Sequence, residues 1–512
     1  MTVLSDLAGA SPSALVALAI SLSLYTCYSV FISYWRLRDV PGPFWAKFTD
    51  FQRMFWVKTM RAQEIHREAH EKYGDCVRFG PNTVSLCDPA MIPILYPMRS
   101  GFPKSLFYRG IMPYAKGGAF PAVFTTQDEQ MHKTLKTPVA SLYSLTNVIN
   151  FEPFIDEVLE VMFNQLDARF VETFAVFDLG DWIQYFAFDV MGTMTFSKRY
   201  GFLENGNDAN GLLRAIWDFM LTIGPMTQFP KLDRILYKSF IADILKNQVA
   251  VPILRIASEA VEARQKDAQK FSVDEKKTPG KGDFLSHFIR IQETNNSIPA
   301  WASKTWTFSN VIAGSDSTTV VMRTAVYHLL ANKDSLAKLV REFCEVDAKS
   351  GLTRPFPKWN EVKNLPYLDA CVNEAVRLHP PFALPLERVA PRGGVTISGH
   401  HFPEGTCIGM NPYVVNRHRP TFGEDVDAWR PERWLVDDPA LRKKLEGSVM
   451  TFGAGRRTCI GRYIAFLEIK KLLPALFLNY DIELIDPKSY FVESSYFFRQ
   501  EGIDVRIQRK VF

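Results

Sequence analysis

Near the C-terminus, one cysteine stands in a loop that can be built in few ways. Cys459 lies in Phe452-Gly-Ala-Gly-Arg-Arg-Thr-Cys-Ile-Gly461, and an apolar, helix-like run over residues 464–478 follows at once. The pattern sets a glycine-flanked turn against the N-terminus of a helix. Thiolate is the metal-binding form of cysteine, yet an ordinary thiol is neutral at physiological pH. Amide N–H groups and the dipole at a helix N-terminus favour an anion there. A lone sulfur presented in this way suits a metal with a single protein ligand. The chain has seven cysteines; the others are Cys27, Cys76, Cys87, Cys344, Cys371 and Cys407. They are scattered, odd in number and form no C-x-x-C pair, which argues against a disulfide framework or a zinc site and fits a reducing compartment.

A second constraint sits at the other end. Residues 14–35 carry no charge, and at 1.5 Å per residue such a helix spans about 33 Å, enough for a bilayer core. Asp6 precedes the run, while Arg36 and Arg38 follow it. The basic flank stays cytoplasmic, so the N-terminus faces the lumen. A cleaved signal peptide would be shorter, with its basic residues first. Pro41-Gly42-Pro43 breaks any helix and reads as a stiff hinge. The division is therefore 1–38 as membrane anchor, spanning at about 14–35, and 39–512 as catalytic body. The apolar fraction of 47% supports a large core. A net charge of +5, without a basic arm or patch, argues against nucleic acid.

The body reads as helix-dominated, with small sheets near its two ends. Residues 45–73 read as one helix; 76–80 and 83–87 alternate like paired strands. Asp88-Pro89 opens another helix, and residues 127–289 are mostly helical. Residues 266–282 form a charged, exposed loop. A long helix is expected over about 301–330, and short strands over 395–411.

The spacing Phe-x-x-Gly-x-Arg-x-Cys-x-Gly resembles the haem-ligand loop of the cytochrome P450 superfamily, and the resemblance extends from about Val40 to the C-terminus. It implies a mainly α fold with small β-sheets, preceded by one transmembrane helix. It also implies haem b (iron protoporphyrin IX) with Cys459 as the axial ligand of the iron. Phe452 belongs to the same loop, and Gly455 and Gly461 would let the backbone pass close to a flat macrocycle. Arg457 would set its fork on a haem propionate. Arg388, in Pro385-Leu-Glu-Arg388, matches a second propionate arginine. His132 and Lys136 match the positions of the family's Trp-x-x-x-Arg pair, and both can donate to carboxylates.

Glu374-Ala-Val-Arg377 places a carboxylate and an arginine on one helix face. With Arg433 in Pro431-Glu-Arg-Trp434, they resemble the superfamily's buried ion triad, a structural device before the haem loop. Ala313-Gly-Ser-Asp-Ser-Thr318 interrupts an apolar helix with glycine and hydroxyls. It resembles the motif in which an acid and an alcohol pass protons to iron-bound dioxygen. Asp316 is then the acid and Ser317 the alcohol, where the family more often has threonine. Thr318 substitutes only if the helix is distorted.

The resemblance implies a microsomal monooxygenase of the endoplasmic reticulum membrane, inserting one oxygen atom into an apolar small molecule. No Rossmann fingerprint is present, so NADPH electrons are expected from a separate cytochrome P450 reductase, with cytochrome b5 as a further donor. Arg456, Arg462, Lys470 and Lys471 would form a basic docking face. Two alternatives differ in class: a reductase-independent haem-thiolate isomerase or dehydratase, which tends to lose the acid–alcohol pair, and a non-catalytic haem-binding protein. Residues 105–122, 201–230, 306–316, 380–386 and 494–498 are rich in Phe, Met, Leu and Tyr and are candidate pocket walls. Residues 81–89 and 100–105 look similar to fungal monooxygenases of the pisatin-demethylase-like group, many of which tailor terpenoids or polyketides in secondary metabolism.

Overall fold

The computed structural model describes residues 12–510, apart from 100, 113, 116–117, 240–251 and 269–281. The helices that position the site are α1 (Pro12–Arg36), α2 (Phe51–Lys58), α3 (Ala62–Tyr73), α4 (Glu129–Lys136), α5 (Glu152–Leu166), α6 (Leu179–Phe196), α7 (Leu212–Thr227), α8 (Ala302–Ala331), α9 (Pro366–Leu378) and α10 (Arg462–Asn479). α8 is the axis of the body. It packs along α6 and also against α9 and α10. Its apolar residues do not form one stripe, because nearly every face is covered. Beyond its first turns, buried hydroxyls turn back onto their own helix: Ser315 Oγ donates to Val311 O at 3.1 Å, Thr319 Oγ1 to Ser315 O at 2.9 Å, and Thr324 Oγ1 to Val320 O at 2.8 Å. Such back-bonding satisfies a buried hydroxyl without a partner from another element. The main core joins α5, α6, α8, α9 and α10 through Leu159, Phe186, Met322, Cys371 and Leu472.

The sheets are small and peripheral. β1 (Cys76–Gly80) and β2 (Thr83–Leu86) pair antiparallel; β2 runs parallel to β4 (Cys407–Met410), and β4 pairs antiparallel with β3 (Arg388–Val389). Near the C-terminus, Tyr480–Leu484 pairs with Asp504–Arg509, which also holds Phe177–Asp178.

α1 contains one apolar stretch, Val16–Arg36, long enough to cross a membrane, and it is not buried in the body. Its exit is not a free hinge. Arg78, fully buried in β1, donates to Ser33 O at 2.7 Å and to Tyr34 O and Leu37 O at 3.1 Å. A cation on the last carbonyls of a helix both caps it and complements its dipole. Pro41 O accepts from Arg78 N at 2.7 Å, and a Cβ on Gly42 would lie 2.4 Å from Arg78 O. The Pro-Gly-Pro segment is thus fastened to the first sheet.

The single helix expected over 45–73 is broken. A 3-10 turn (Trp45–Lys47) precedes α2, and the chain turns again at Met60, φ +56°. No glycine or proline marks this break. Tertiary pairing makes it, since Met60 O accepts from Ser494 N at 2.9 Å. Residues 266–268 of the expected loop complete the helix Pro252–Ala268, and the loop's remainder lies mostly outside the described residues.

Candidate active site

The cysteine loop is held from behind. Asn416 Oδ1 accepts from Met450 N at 2.8 Å, and Thr451 Oγ1 donates to Val376 O of α9 at 2.6 Å. Cys459 N closes the loop on Phe452 O at 2.8 Å. Gly455 is in the left-handed region, φ +63°, and a Cβ there would lie 2.1 Å from Tyr96 O. Its glycine is therefore demanded by the protein's own backbone, which differs from the macrocycle argument made from sequence. At Gly461 the nearest neighbour of a Cβ would be Cys459 Sγ, at 4.0 Å.

The backbone amides of Gly461 and Arg462 lie near the Cys459 sulfur and favour its anion, as the junction with a helix predicts. Burial nevertheless outweighs them and pushes the thiol up, despite Lys136 and Arg462 nearby. A cation bound at sulfur reverses that balance, which is what a metal supplies. Cys459 also presents accessible surface, as does Ala313 in mid-α8, although Val311, Ser315 and Ile464 around them are buried. Accessible atoms in the middle of a packed helix mark a space enclosed within the fold.

Cations converge beside this space. Lys104, His132 and Arg388 are each buried, and Lys136 Nζ donates to Arg456 O at 2.8 Å. Burial and then the Arg457, Lys136 and Lys104 charges push His132 down to about 3. Burial, Arg388 and Arg457 hold Lys104 well below the ordinary lysine range. Its ammonium donates to Phe124 O and sits 4.0 Å from the Tyr108 ring centroid and 4.1 Å from that of Phe124. Arg388 Nη1 donates to Tyr108 Oη at 3.0 Å. Arg457 grips Glu129 with Nη2 at 2.6 Å and Nε at 3.2 Å. Glu129 also pairs with Arg456 at 3.1 Å. Buried cations are costly without anions, and Glu129 is the carboxylate that pairs with Arg456 and Arg457, while burial and these charges resist a proton on His132 and Lys104. The two propionates of a haem fit what the cluster lacks, and an unpaired thiol facing enclosed space fits its iron. Lys104 and Glu129 were missed from sequence, since each reads as an ordinary charged residue until the fold buries the first and sets the second against Arg456 and Arg457.

The residues matched to an ion triad do come together. Glu374 and Arg377 are fully buried; Arg377 donates Nε to Glu374 Oε2 at 2.9 Å and Nη2 to Oε1 at 2.7 Å. Arg433 Nε lies 3.5 Å from Glu374 Oε1. Its fork also engages Asp425 at 3.1 Å and Phe422 O. Arg377 Nη1 reaches on to Asn416 O and Val426 O at 3.1 and 2.7 Å. Asn416, in turn, holds the loop that carries Cys459.

On α8, Asp316 Oδ1 accepts from Gln184 Nε2 of α6 at 3.1 Å. Burial raises its carboxyl to about 6, against the Gln184 bond and the Arg323 charge. Ser317 Oγ donates to Ala313 O, one turn back on the accessible face. Thr318 is buried and bonded to Gly314 O at 2.8 Å. α8 runs through this motif unbroken. Gly314 has a packing reason, because a Cβ there would meet Met191 Sδ of α6 at 2.7 Å.

The five pocket segments contribute to one apolar cluster that includes Phe107, Phe219, Val311, Leu384 and Tyr496, with Phe382 packed against it. The expected basic docking face is not formed as such. Lys471 is fully buried and pairs with Glu152 at 2.9 Å and Asp156 at 2.7 Å, while Lys470 is buried on Lys363 O and Asp369. Of the four residues, only Arg462 is exposed, with Arg456 half-buried.

Residues 41–497 match the family model for cytochrome P450. The chain is 51% identical over 490 residues to a cytochrome P450 monooxygenase of Aspergillus flavus, covering 96% of each. It is 51% identical over 497 residues to the cytochrome P450 monooxygenase pkfB of Emericella nidulans, covering 97% of this chain and 96% of that one. It is also 52% identical over 498 residues to the cytochrome P450 monooxygenase mpaDE' of Penicillium brevicompactum, covering 96% of this chain but 57% of that one.

Proposed function

Because the chain belongs to the cytochrome P450 family, we propose that it inserts one atom of dioxygen into an apolar organic substrate of fungal secondary metabolism, of terpenoid or polyketide type. Haem b, bound at Cys459, supplies dioxygen activation when NADPH electrons arrive through a separate reductase, with cytochrome b5 as a second donor. Lys104, His132, Lys136, Arg388 and Arg457 would hold its propionates, and Arg457 with Glu129 also ties the cysteine loop to α4. Asp316 stores and returns a proton near pH 6, and the Ser317 hydroxyl presents it to the enclosed space. The aromatic cluster around Phe382 and Tyr496 excludes water and receives the substrate.

Residues 1–38 anchor the body, 39–512, in the endoplasmic reticulum membrane with the body on the cytoplasmic side. The exposed rings of Phe44, Trp45, Phe51 and Phe55, next to the anchor's exit, support contact with lipid. The observation that carries the proposal is the Cys459 sulfur, accessible at the junction of its glycine loop with α10 and favoured as an anion by the amides of Gly461 and Arg462. The reduced protein should give the red-shifted carbon-monoxide band of thiolate ligation. A histidine-like band from folded protein refutes it. Asp316→Asn should slow NADPH-dependent product formation at full haem content, and unchanged coupled turnover would refute its proton role.

A further inference from the structure

We propose that Gln184 is the positioning residue for Asp316, fixing which carboxyl oxygen carries the proton and tying that carboxyl through Arg323 to Asp181 at the surface. The inference rests on Asp316 being the proton-handling acid.

α6 and α8 lie side by side, and a ladder of side chains crosses between them. Gln184 Nε2 donates to Asp316 Oδ1 at 3.1 Å. Arg323, two turns along α8, donates Nη2 to Gln184 Oε1 at 3.1 Å. The same Nη2 reaches Asp181 Oδ1 at 3.4 Å, and Arg323 Nε donates to Gly180 O at 2.8 Å. Asp181, in the first turn of α6, has a 53% exposed side chain, whereas that of Arg323 is 5% exposed.

Chemistry fixes the direction of this ladder. A glutamine amide turned end for end looks the same in outline, so its orientation must come from its partners. Arg323 only donates, so the amide oxygen faces it and the amide N–H faces Asp316. Oδ1 of Asp316 is thereby committed as an acceptor, and a proton on this group belongs on Oδ2. The guanidinium has no lone pair to accept a proton, so the ladder does not conduct protons. It sets the geometry and proton affinity of the acid at its inner end. Arg323 is the charged group acting on Asp316. Around Asp181 stand Arg323, Asp178, Glu501 and Arg499, with Tyr185 alongside.

The test uses holoprotein with reductase in membranes. It follows substrate-free NADPH oxidation against pH, the split of reduced oxygen between peroxide and water, and the solvent isotope effect. Gln184→Leu keeps the volume and deletes the donor to Oδ1. Asp316 then holds its proton more tightly, and the midpoint of the pH profile moves up by about one unit. The peroxide share and the isotope effect rise while haem content stays at the wild-type value. Gln184→Glu, which sets a carboxylate against Asp316 and engages Arg323, moves the midpoint further in the same direction. Should the leucine variant fail to take up haem, Gln184→Asn, which withdraws the amide by one methylene, is expected to give the upward shift. Profiles of these variants that superpose on wild type, while Asp316→Asn alters its own, overturn the positioning role alone. An unchanged Asp316→Asn profile overturns the proton role and this inference with it.

Discussion

Glu374→Gln is the most exacting perturbation, because it changes no volume and almost no shape. Every partner of this carboxylate is a donor. Oε1 accepts from Arg377 Nη2 at 2.7 Å and Arg430 N at 3.1 Å, with Arg433 Nε at 3.5 Å; Oε2 accepts from Arg377 Nε and Trp434 Nε1, both at 2.9 Å. Whichever way the new amide turns, its NH2 group faces N–H groups. The substitution also leaves Arg377 and Arg433, at 0% and 5% exposure, without the charge between them. Breaking a buried pair from one side costs about 3–5 kcal/mol. A chain of 512 residues unfolds with roughly 1 kcal/mol/K of entropy, so the expected loss in melting temperature is about 3–5 °C. The Lys338–Glu432 pair, with side chains 51% and 39% exposed, is the control; Lys338→Ala should leave the melting temperature close to wild type, because solvent screens so exposed a pair. Thermal melts and the haem-to-protein ratio of the purified variants, measured in parallel, decide the matter. The haem ratio should fall for Glu374→Gln, because Arg377 and Asn416 join this site to the cysteine loop. A Glu374→Gln protein that melts with wild type and keeps its haem refutes the reasoning.

Other perturbations probe separate parts of the molecule. Gly455→Ala forces a left-handed residue, at about 1–2 kcal/mol, into the Tyr96 carbonyl; it should lose haem on gel filtration, whereas Gly447→Ala, in open space, should not. His70 sits between Gly74 O at 2.9 Å and Ser85 Oγ at 2.8 Å, and burial lowers it to about 4. The unfolded chain takes up a proton that the fold resists, so stability falls as pH drops from 6.5 towards 4, by about 3 kcal/mol in full. Melts between pH 7 and 4.5 should therefore show a smaller decline for His70→Gln than for wild type. A chain lacking residues 1–38 should still float weakly with lipid vesicles, and changing Phe44, Trp45, Phe51 and Phe55 to serine should release it.

Sequence pattern revealed the parts of this molecule whose signals are local. The cysteine loop, α1 and the long helix α8 each declare themselves within a few tens of residues, through glycine spacing, an uncharged run or a helical period. Strand pairs β1 and β2 are legible for the same reason, since alternation and a short turn suffice. The break at Met60 is not local. It exists because Ser494, far along the chain, takes the Met60 carbonyl, and no turn residue marks it. The clamp of Arg78 on the carbonyls of α1 is hidden likewise, because an arginine in a strand pattern looks like a solvated edge residue.

The polar half of the site makes the same point with opposite signs. Lys470 and Lys471 follow the cysteine closely and looked like a docking face, yet α10 turns both into the body against Asp369, Glu152 and Asp156. Lys104 drew no attention as a charge, yet the fold sets its ammonium among Arg388, Arg457 and Lys136 with two aromatic rings beneath it. A charge in a sequence carries no label for burial, and burial decides its role. Where a buried lysine meets a carboxylate from its own chain, it fastens helices together, as Lys471 does. Around Lys104 the neighbouring charges are Arg388, Arg457, Lys136 and Glu129, so burial among like charges resists its protonation instead of pairing it.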